Sequence, residues 1–287
     1  MIKNQKILIL GAKGMLGSDL CLVFKKEKPI FWDRKNLDIT KKKKTEIEIR
    51  KLNPDIVINA AAYTNVEMAE KQFALAKQIN TQAVKTLAKI CAEIKATLIH
   101  YSTDYVFGGK KKSGYLEDDK PTKSVNKYGL SKLFGEKSIL KIKDQNPNFK
   151  FYLIRTSWLF GSRRQPQKHK NFISTILRLA KDKKELKIIN DQFGKPTYTF
   201  DLAQATKKLL ISKKPFGIYH LSNEGITNWY QFAREIIKLS KNKAVIKPCK
   251  TSEYQTLAKR PKYSILINTK FFKLRSWKLA LRDYLKK

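Results

Sequence analysis

The chain has 287 residues, 42% of them hydrophobic and 11% aromatic, which is enough for one large or two modest domains and too apolar for a disordered chain. Its 61 Lys and Arg against 24 Asp and Glu give a formal charge of +37, spread along the sequence and not interleaved with aromatics, so it reads as solvated faces with at most a steering role toward an anionic substrate, and no nucleic-acid partner is expected. Three scattered cysteines and three scattered histidines supply no disulfide framework, zinc cage or HExxH site, and no apolar run approaches the ~20 residues of a membrane span, so a reducing, cytoplasmic setting without a membrane is expected.

In chain order, residues 6–10 (KILIL) form an apolar run that Gly11 ends, as a buried parallel strand requires. Residues 15–26 repeat apolar side chains at three- and four-residue spacing and predict a helix. A second strand is expected over 29–33 (PIFWD) and a third over 55–59 (DIVIN), entered through the Asn53-Pro54 turn, with lysines 41–44 among turn-like residues. One long amphipathic helix fits 69–95, with Leu75, Ile79, Val84, Leu87, Ala88 and Cys91 on its apolar side. Residues 96–101 (ATLIHY) predict a fourth strand, 125–140 a helix and 151–155 a fifth strand.

Parallel strands need crossovers, so this alternation predicts an α/β fold with a Rossmann-like, doubly wound parallel sheet. The NAD(P)-binding domain is assigned residues 1–157. From 158 to 287 the alternation loosens and turn residues multiply (Gly161, Pro166, Pro196, Pro215, Pro248, Pro261), which predicts a smaller C-terminal substrate-binding region sharing elements with the first.

The segment Gly11-Ala-Lys-Gly14-Met-Leu-Gly17 follows the first strand and opens the helix. A tight turn there brings backbone N–H groups and a helix N-terminus onto a pyrophosphate: Gly11 permits the turn, Gly14 the close approach and Gly17 the packing of helix on strand. The spacing is GxxGxxG, looser evidence than GxGxxG, but Asp33 follows about 20 residues after Gly11, where a ribose-binding carboxylate is expected. Asp33 favours the free 2′-hydroxyl of NAD and Arg34 the 2′-phosphate of NADP, so both NADH and NADPH are expected to serve.

Tyr128-Gly-Leu-Ser-Lys132 places a phenol and an ammonium one helical turn apart. A phenol with pKa near ~10 is a poor acid–base group at neutral pH, and a neighbouring ammonium lowers that value by favouring the phenolate. Thr103, just past the fourth strand, offers a hydroxyl that can polarise a carbonyl oxygen. In so lysine-rich a chain, a surface lysine is the plain alternative for Lys132.

More specific runs accompany these: GAKGMLGS from Gly11, LDIT (37–40), PDIVINAAAYTNVEMAE (54–70), YSTDYVF (101–107), YGLSKLFGE (128–136), RTSWLFG (155–161), NF (171–172), NDQFGKPT (190–197) and RPKYSIL (260–266). Together they resemble the dTDP-4-dehydrorhamnose reductase family of the extended short-chain dehydrogenase/reductases, over nearly the whole chain. The resemblance implies hydride transfer from NADPH or NADH to the C4 ketone of a dTDP-4-dehydro-6-deoxy-L-mannose substrate, with Tyr128 as proton donor and Lys132 as its pKa-lowering partner; both are also expected beside the cofactor, Lys132 reaching the nicotinamide ribose.

It further implies that Gly14, Met15 and Leu16 lie under the pyrophosphate, that Asp38 and Ile39 flank the adenine, and that Ala62, Tyr63 and Thr64 line the nicotinamide side. Thr103 and Asp104 would contact the sugar, Trp158 would pack on the deoxysugar ring, and Arg260 would face the nucleotide diphosphate. An ordinary core tryptophan and a surface arginine are the plain alternatives for the last two. The nucleotide sugar is the expected partner, and a homodimer is compatible with the family. Some members dimerise through a divalent cation; Asp19 and Asp201 fall near that region without completing a ligand set, so no metal is expected. The lysine-laden loop 108–120 departs from the family, which usually carries Asp where Gly108 or Gly109 stands. Two other readings stay open: another nucleotide-sugar epimerase or dehydratase, although Asp104-Tyr105 lacks the dehydratases' acidic pair, and a regulatory subunit resembling the methionine adenosyltransferase β-subunit.

Overall fold

Unbroken runs of Ile, Leu and Val become strands that must be covered on both faces, and alternating strand and helix deliver that cover. A computed structural model describes residues 4–121, 123–162, 171–212 and 214–286; Pro166 and His169 lie outside them. In chain order the first half contains β1 (Ile7–Leu10), α1 (Met15–Val23), β2 (Ile30–Trp32), α2 (Lys42–Leu52), β3 (Ile56–Asn59), α3 (Val66–Lys71), α4 (Phe73–Lys77), α5 (Ala83–Glu93), β4 (Thr97–Thr103), α6 (Lys127–Gln145) and β5 (Phe151–Thr156). The second half adds β6 (Leu159–Phe160), α7 (Phe172–Asp182), β7 (Glu185–Ile189), β8 (Phe193–Gly194), β9 (Thr197–Tyr198) and α8 (Thr199–Ile211). It closes with β10 (Gly217–His220), β11 (Thr227–Asn228), α9 (Trp229–Leu239), β12 (Val245–Cys249) and α10 (Trp277–Leu285).

The main sheet has the order β10-β5-β4-β3-β1-β2, and all its pairings are parallel. The fold class is the expected Rossmann-type sheet. Because β2 and β3 flank β1 on opposite sides, successive crossovers leave β1 in opposite directions and open a crevice at the carboxyl ends of β1 and β3. One face of the sheet buries Ile7 and Ile9 in a cluster with Leu16 and Leu20 of α1 and Leu202 and Leu209 of α8. The other buries Leu8, Leu10 and Val57 against Ile49 of α2, Leu87 of α5 and Ile139 of α6. A third cluster, around Phe160, Ile176, Phe232, Ile236 and Trp277, belongs to the region beyond residue 157, and β10 from that region pairs with β5.

Two local expectations fail. Lysines 41–44 do not form a turn: Lys41 caps α2 and the other three are its first residues, because the β2-to-β3 crossover needs a helix and Thr45 and Ile49 bury enough to hold it. Nor is 69–95 one helix. It breaks at Gln72 and opens into a π-turn at Gln78–Gln82 around the buried Asn80. The Asn80 side chain accepts from the Tyr63 N–H at 2.9 Å and donates to Tyr63 O and to Ser131 Oγ, each at 3.0 Å. A buried amide needs such partners, and α6 approaches so closely here that a Cβ on Gly135 would lie 2.3 Å from Asn80 O.

The lysine-laden loop is a packed strap. Tyr115 stacks on Phe107 with centroids 4.1 Å apart, and the buried Glu117 accepts from Thr269 Oγ1 at 2.7 Å. Behind it, the fully buried Arg155 forks onto Glu136 (Nη2 to Oε2, 2.8 Å) and reaches Glu117 O and His220 Nε2, both at 3.4 Å.

Candidate active site

The turn after β1 forms because its glycines carry no side chains. Gly11 has φ +76°, and a Cβ on it would lie 2.6 Å from Ala61 N; a Cβ on Gly17 would lie 2.0 Å from Gly11 O. Gly17 thus packs against the turn itself, not against the strand. Gly14 takes the N-cap position of α1 with no side-chain cap and no acid in the first turn. The first N–H groups of a helix lack intrahelical partners, so the Met15 and Leu16 amides present the positive end of α1 to the crevice. That cradle fits the pyrophosphate of a dinucleotide.

Asp33 closes β2 beside this turn. Its carboxylate accepts from the Lys35 N–H at 2.7 Å and the Asn36 N–H at 3.2 Å and pairs with Lys13, which together hold it below the usual carboxylate range, the Lys13 hydrogen bond most of all. Arg34 is exposed and among the described residues reaches only Asp38, at 3.4 Å, while Asp38 accepts from the Thr40 hydroxyl at 2.7 Å. Ile39 turns into the core with Leu37 and Ile49, so only its backbone is left to face a ligand. Tyr63 points its hydroxyl at Gln72 Oε1, 2.9 Å away.

The catalytic candidates meet where α6 docks on the turn after β4. Asn126 caps α6 by accepting the Gly129 N–H at 2.8 Å and donates to Lys259 O at 2.9 Å. A Cβ on Gly129 would lie 2.1 Å from Tyr105 O, so this helix start can sit here only with glycine after Tyr128. The Thr103 hydroxyl donates to Asp104 Oδ1 at 2.9 Å and accepts the Tyr105 N–H.

Burial pushes the Tyr128 phenol up to about 12, opposed by the Thr103 hydroxyl and aided by Asp104. Burial also pulls Lys132 down to about 8, opposed by Glu136. The expected lowering of the phenol by Lys132 is therefore not what the geometry produces. Lys132 Nζ instead donates to Tyr101 O at 2.5 Å and lies 3.3 Å from His100 Nε2. Burial raises Asp104 to about 7, against the pull of the Ser264 and Thr103 hydroxyls.

Gly14, Met15, Leu16, Ala62, Thr64, Thr103, Asp104, Tyr128, Lys132 and Trp158 all line one cleft of about 580 Å³. Gly11, Gly17, Asp33, Arg34, Asp38, Ile39 and Tyr63 lie outside its lining. Arg260 also stands apart: it pairs with Glu67 at 2.5 Å in a neighbouring, mostly apolar cavity of about 940 Å³. Trp229 borders both spaces and stacks flat on Trp158, with centroids 3.5 Å apart.

Trp229, Ser102, Thr156 and Asn171 also line the cleft; Trp229 carries no motif signal in the sequence, whereas the other three stand inside the runs YSTDYVF, RTSWLFG and NF. Ser102 Oγ, Asp104 Oδ2, Thr156 Oγ1 and Trp158 Nε1 are four of the six buried side-chain polar atoms without a hydrogen-bond partner among the described residues. An unpaired buried polar atom costs about 1–3 kcal/mol, so their gathering in one cleft points to a polar ligand.

The two acids considered for a cation are otherwise engaged. Asp201 is bidentate to Arg275 at 2.8 Å and accepts from Asn223, and Asp19 accepts from Thr199 Oγ1 at 2.5 Å.

Comparison with known proteins gives the family and the fold. A family model described as the RmlD substrate binding domain matches residues 5–287. The spore coat polysaccharide biosynthesis protein SpsK of Bacillus subtilis is 40% identical, covering 98% of this chain and 96% of its own length. The dTDP-4-dehydrorhamnose reductase of Burkholderia thailandensis is 37% identical, covering 92% of this chain and 91% of its own. The solved dTDP-4-dehydrorhamnose reductase of Bacillus anthracis, in complex with NADP, superposes with a TM-score of 0.90 at 34% identity, covering 98% of this chain and 99% of that one.

Proposed function

The chain belongs to the dTDP-4-dehydrorhamnose reductase (RmlD) family, and from that premise we propose that this oxidoreductase reduces the C4 ketone of dTDP-4-dehydro-6-deoxy-L-mannose to dTDP-L-rhamnose with NADPH or NADH. The observation that carries the reading is the single cleft that joins the open N-terminus of α1 to Thr103, Tyr128 and Lys132.

The Met15 and Leu16 amides would hold the pyrophosphate of the bound cofactor, which supplies the hydride. Thr103 and Tyr128 would bind the ketone oxygen. A phenol raised to about 12 keeps its proton against solvent and releases it to a developing alkoxide, a far stronger base. Asp104, neutral or ionised near pH 7, offers the sugar an unpaired Oδ2, and Trp158 offers an indole wall with an unpaired N–H. Arg260 would exchange Glu67 for a diphosphate oxygen as the nucleotide settles in the neighbouring cavity. Asp33 at the end of β2 stands where a ribose hydroxyl would come, and the exposed Arg34, held only by a 3.4 Å contact to Asp38 among the described residues, can swing to a 2′-phosphate, which supports use of both coenzymes.

Incubation of the chain with the 4-keto nucleotide sugar and NADPH tests the reading. Stoichiometric loss of the reduced nicotinamide absorbance, with a product heavier by two hydrogens in the mass spectrum, is expected. Conversion without net cofactor oxidation would assign the chain to epimerase or dehydratase chemistry instead.

A further inference from the structure

Lys132 rests on a buried hydrogen-bond chain whose polarity can be read from its far end. The first link is the Ala61 N–H, which can only donate and meets Asn59 Oδ1 at 3.1 Å. That fixes the Asn59 amide: Oδ1 faces Ala61, and Nδ2 faces His100 Nδ1 at 3.1 Å, across the β3–β4 pairing that sets Asn59 opposite His100. An amide nitrogen is a donor, so His100 Nδ1 must accept. Burial first, and then the neighbouring Lys132, hold His100 well below its ordinary value, so the ring is neutral and its single proton sits on Nε2. That N–H points at Lys132 Nζ, 3.3 Å away. An ammonium has no lone pair to receive it, whereas a neutral amine accepts from His100 and still donates to Tyr101 O.

We propose that Asn59 and His100 are positioning residues that present a fixed N–H to Lys132 and so favour its neutral amine. The other charged and titratable groups around the lysine do not undo this. Glu136, one turn further along α6, favours the ammonium but has its carboxylate taken by Arg155 of β5. Tyr128 lies one turn back, and Asp104 and Tyr105 line the cleft beyond the β4 end. The consequence for turnover rests on the reductase reading. On that reading a Lys132 ammonium adds positive charge to the cleft where the alkoxide develops; it is lost at lower pH than it would be if His100 offered a lone pair, and the rate of reduction falls on that alkaline limb.

Nitrogen-15 NMR of the histidine rings in the intact wild-type chain reads the tautomers directly. His220 is the internal contrast, since its Nδ1 lies 3.1 Å from both Tyr115 O and Ile267 O and must carry the proton, leaving Nε2 to face Arg155. His100 is expected to be protonated on Nε2 alone and His220 on Nδ1, with the His100 signals assigned by their loss in His100→Gln. A His100 ring protonated on Nδ1, or on both nitrogens, overturns the proposal.

In Asn59→Asp the carboxylate facing Nδ1 can only accept, so His100 should switch to Nδ1–H and the alkaline limb of kcat should move up by about one pH unit, a tenfold change in proton affinity. A switched tautomer with an unmoved limb overturns the link to Lys132. Should that variant not fold, the wild-type tautomer still decides. Absent reductase activity with the expected tautomers defeats only the enzyme reading, and reversed tautomers in an active enzyme defeat only this one.

Discussion

Tyr128 and Asp104 lie far apart in sequence and line one cleft, and both are shifted for the same reason: each is buried where its charged form loses hydration. Removing the Tyr128 hydroxyl should remove the proton donor and nothing the cofactor touches. Tyr128→Phe is therefore expected to lower kcat by ~10²–10⁴-fold while NADPH binding, followed by fluorescence titration, stays unchanged. Turnover like the wild type would end the assignment. Asp104 gives a pH dependence with a definite sign. Its carboxyl holds a proton to about pH 7 in the folded chain, against 3.8 for an ordinary aspartate. The folded state thus binds more protons than the unfolded one in between, and stability falls as pH rises across that window. Thermal melts of wild type and Asp104→Asn should show the wild type losing ground to the variant between about pH 4 and pH 7 and no further above it. A constant difference in Tm would mean that the carboxyl is not held neutral.

The docking of α6 on the turn after β4 places the chemistry at the next scale. Gly129 and Gly135 let this helix approach Tyr105 O and Asn80 O to distances no side chain allows. In Gly129→Ala the new methyl meets a backbone carbonyl, which cannot rotate away as a side chain could. The variant is expected to be destabilised by about 1–3 kcal/mol and to lose kcat disproportionately, because Tyr128 moves with the helix start. Urea melts and turnover measured together check it, and a stable variant with full kcat would show that the contact has slack. This scale is also where the sequence was least legible. Apolar spacing over 69–95 favours one continuous helix, and nothing local announces that Asn80 will be buried and will open a π-turn to bond Tyr63 and Ser131. The α2 helix was hidden by its lysines, since only Thr45 and Ile49 among its residues are buried.

Across the whole molecule, the buried Arg155–Glu136 pair ties α6 to β5, to the 108–120 strap and, through His220, to β10. Removing one partner leaves the other charge buried and unpaired. Arg155→Met should cost about 3–5 kcal/mol in chemical denaturation, and a loss below about 1 kcal/mol would place Glu136 in contact with water. The charge of +37 acts at the same scale. A cationic surface draws a nucleotide diphosphate from solution, so kcat/KM should fall with rising ionic strength while kcat stays level. A flat kcat/KM would leave the lysines as solvated decoration.

From its own order of residues the chain determined the alternation of strand and helix, the glycine turn before α1, and the motif residues Thr103, Tyr128 and Lys132, because periodicity, missing side chains and i, i+4 spacing are local properties. Family-specific runs named the substrate class, which no periodicity can reach. Only the tertiary structure decided that Trp229 stacks on Trp158, that Arg260 pairs with Glu67 beyond the cleft, and that Lys132 leans on His100 and Tyr101 O while the phenol stays high. Those outcomes depend on burial and on partners brought from distant segments, and desolvation has no signature in a run of letters.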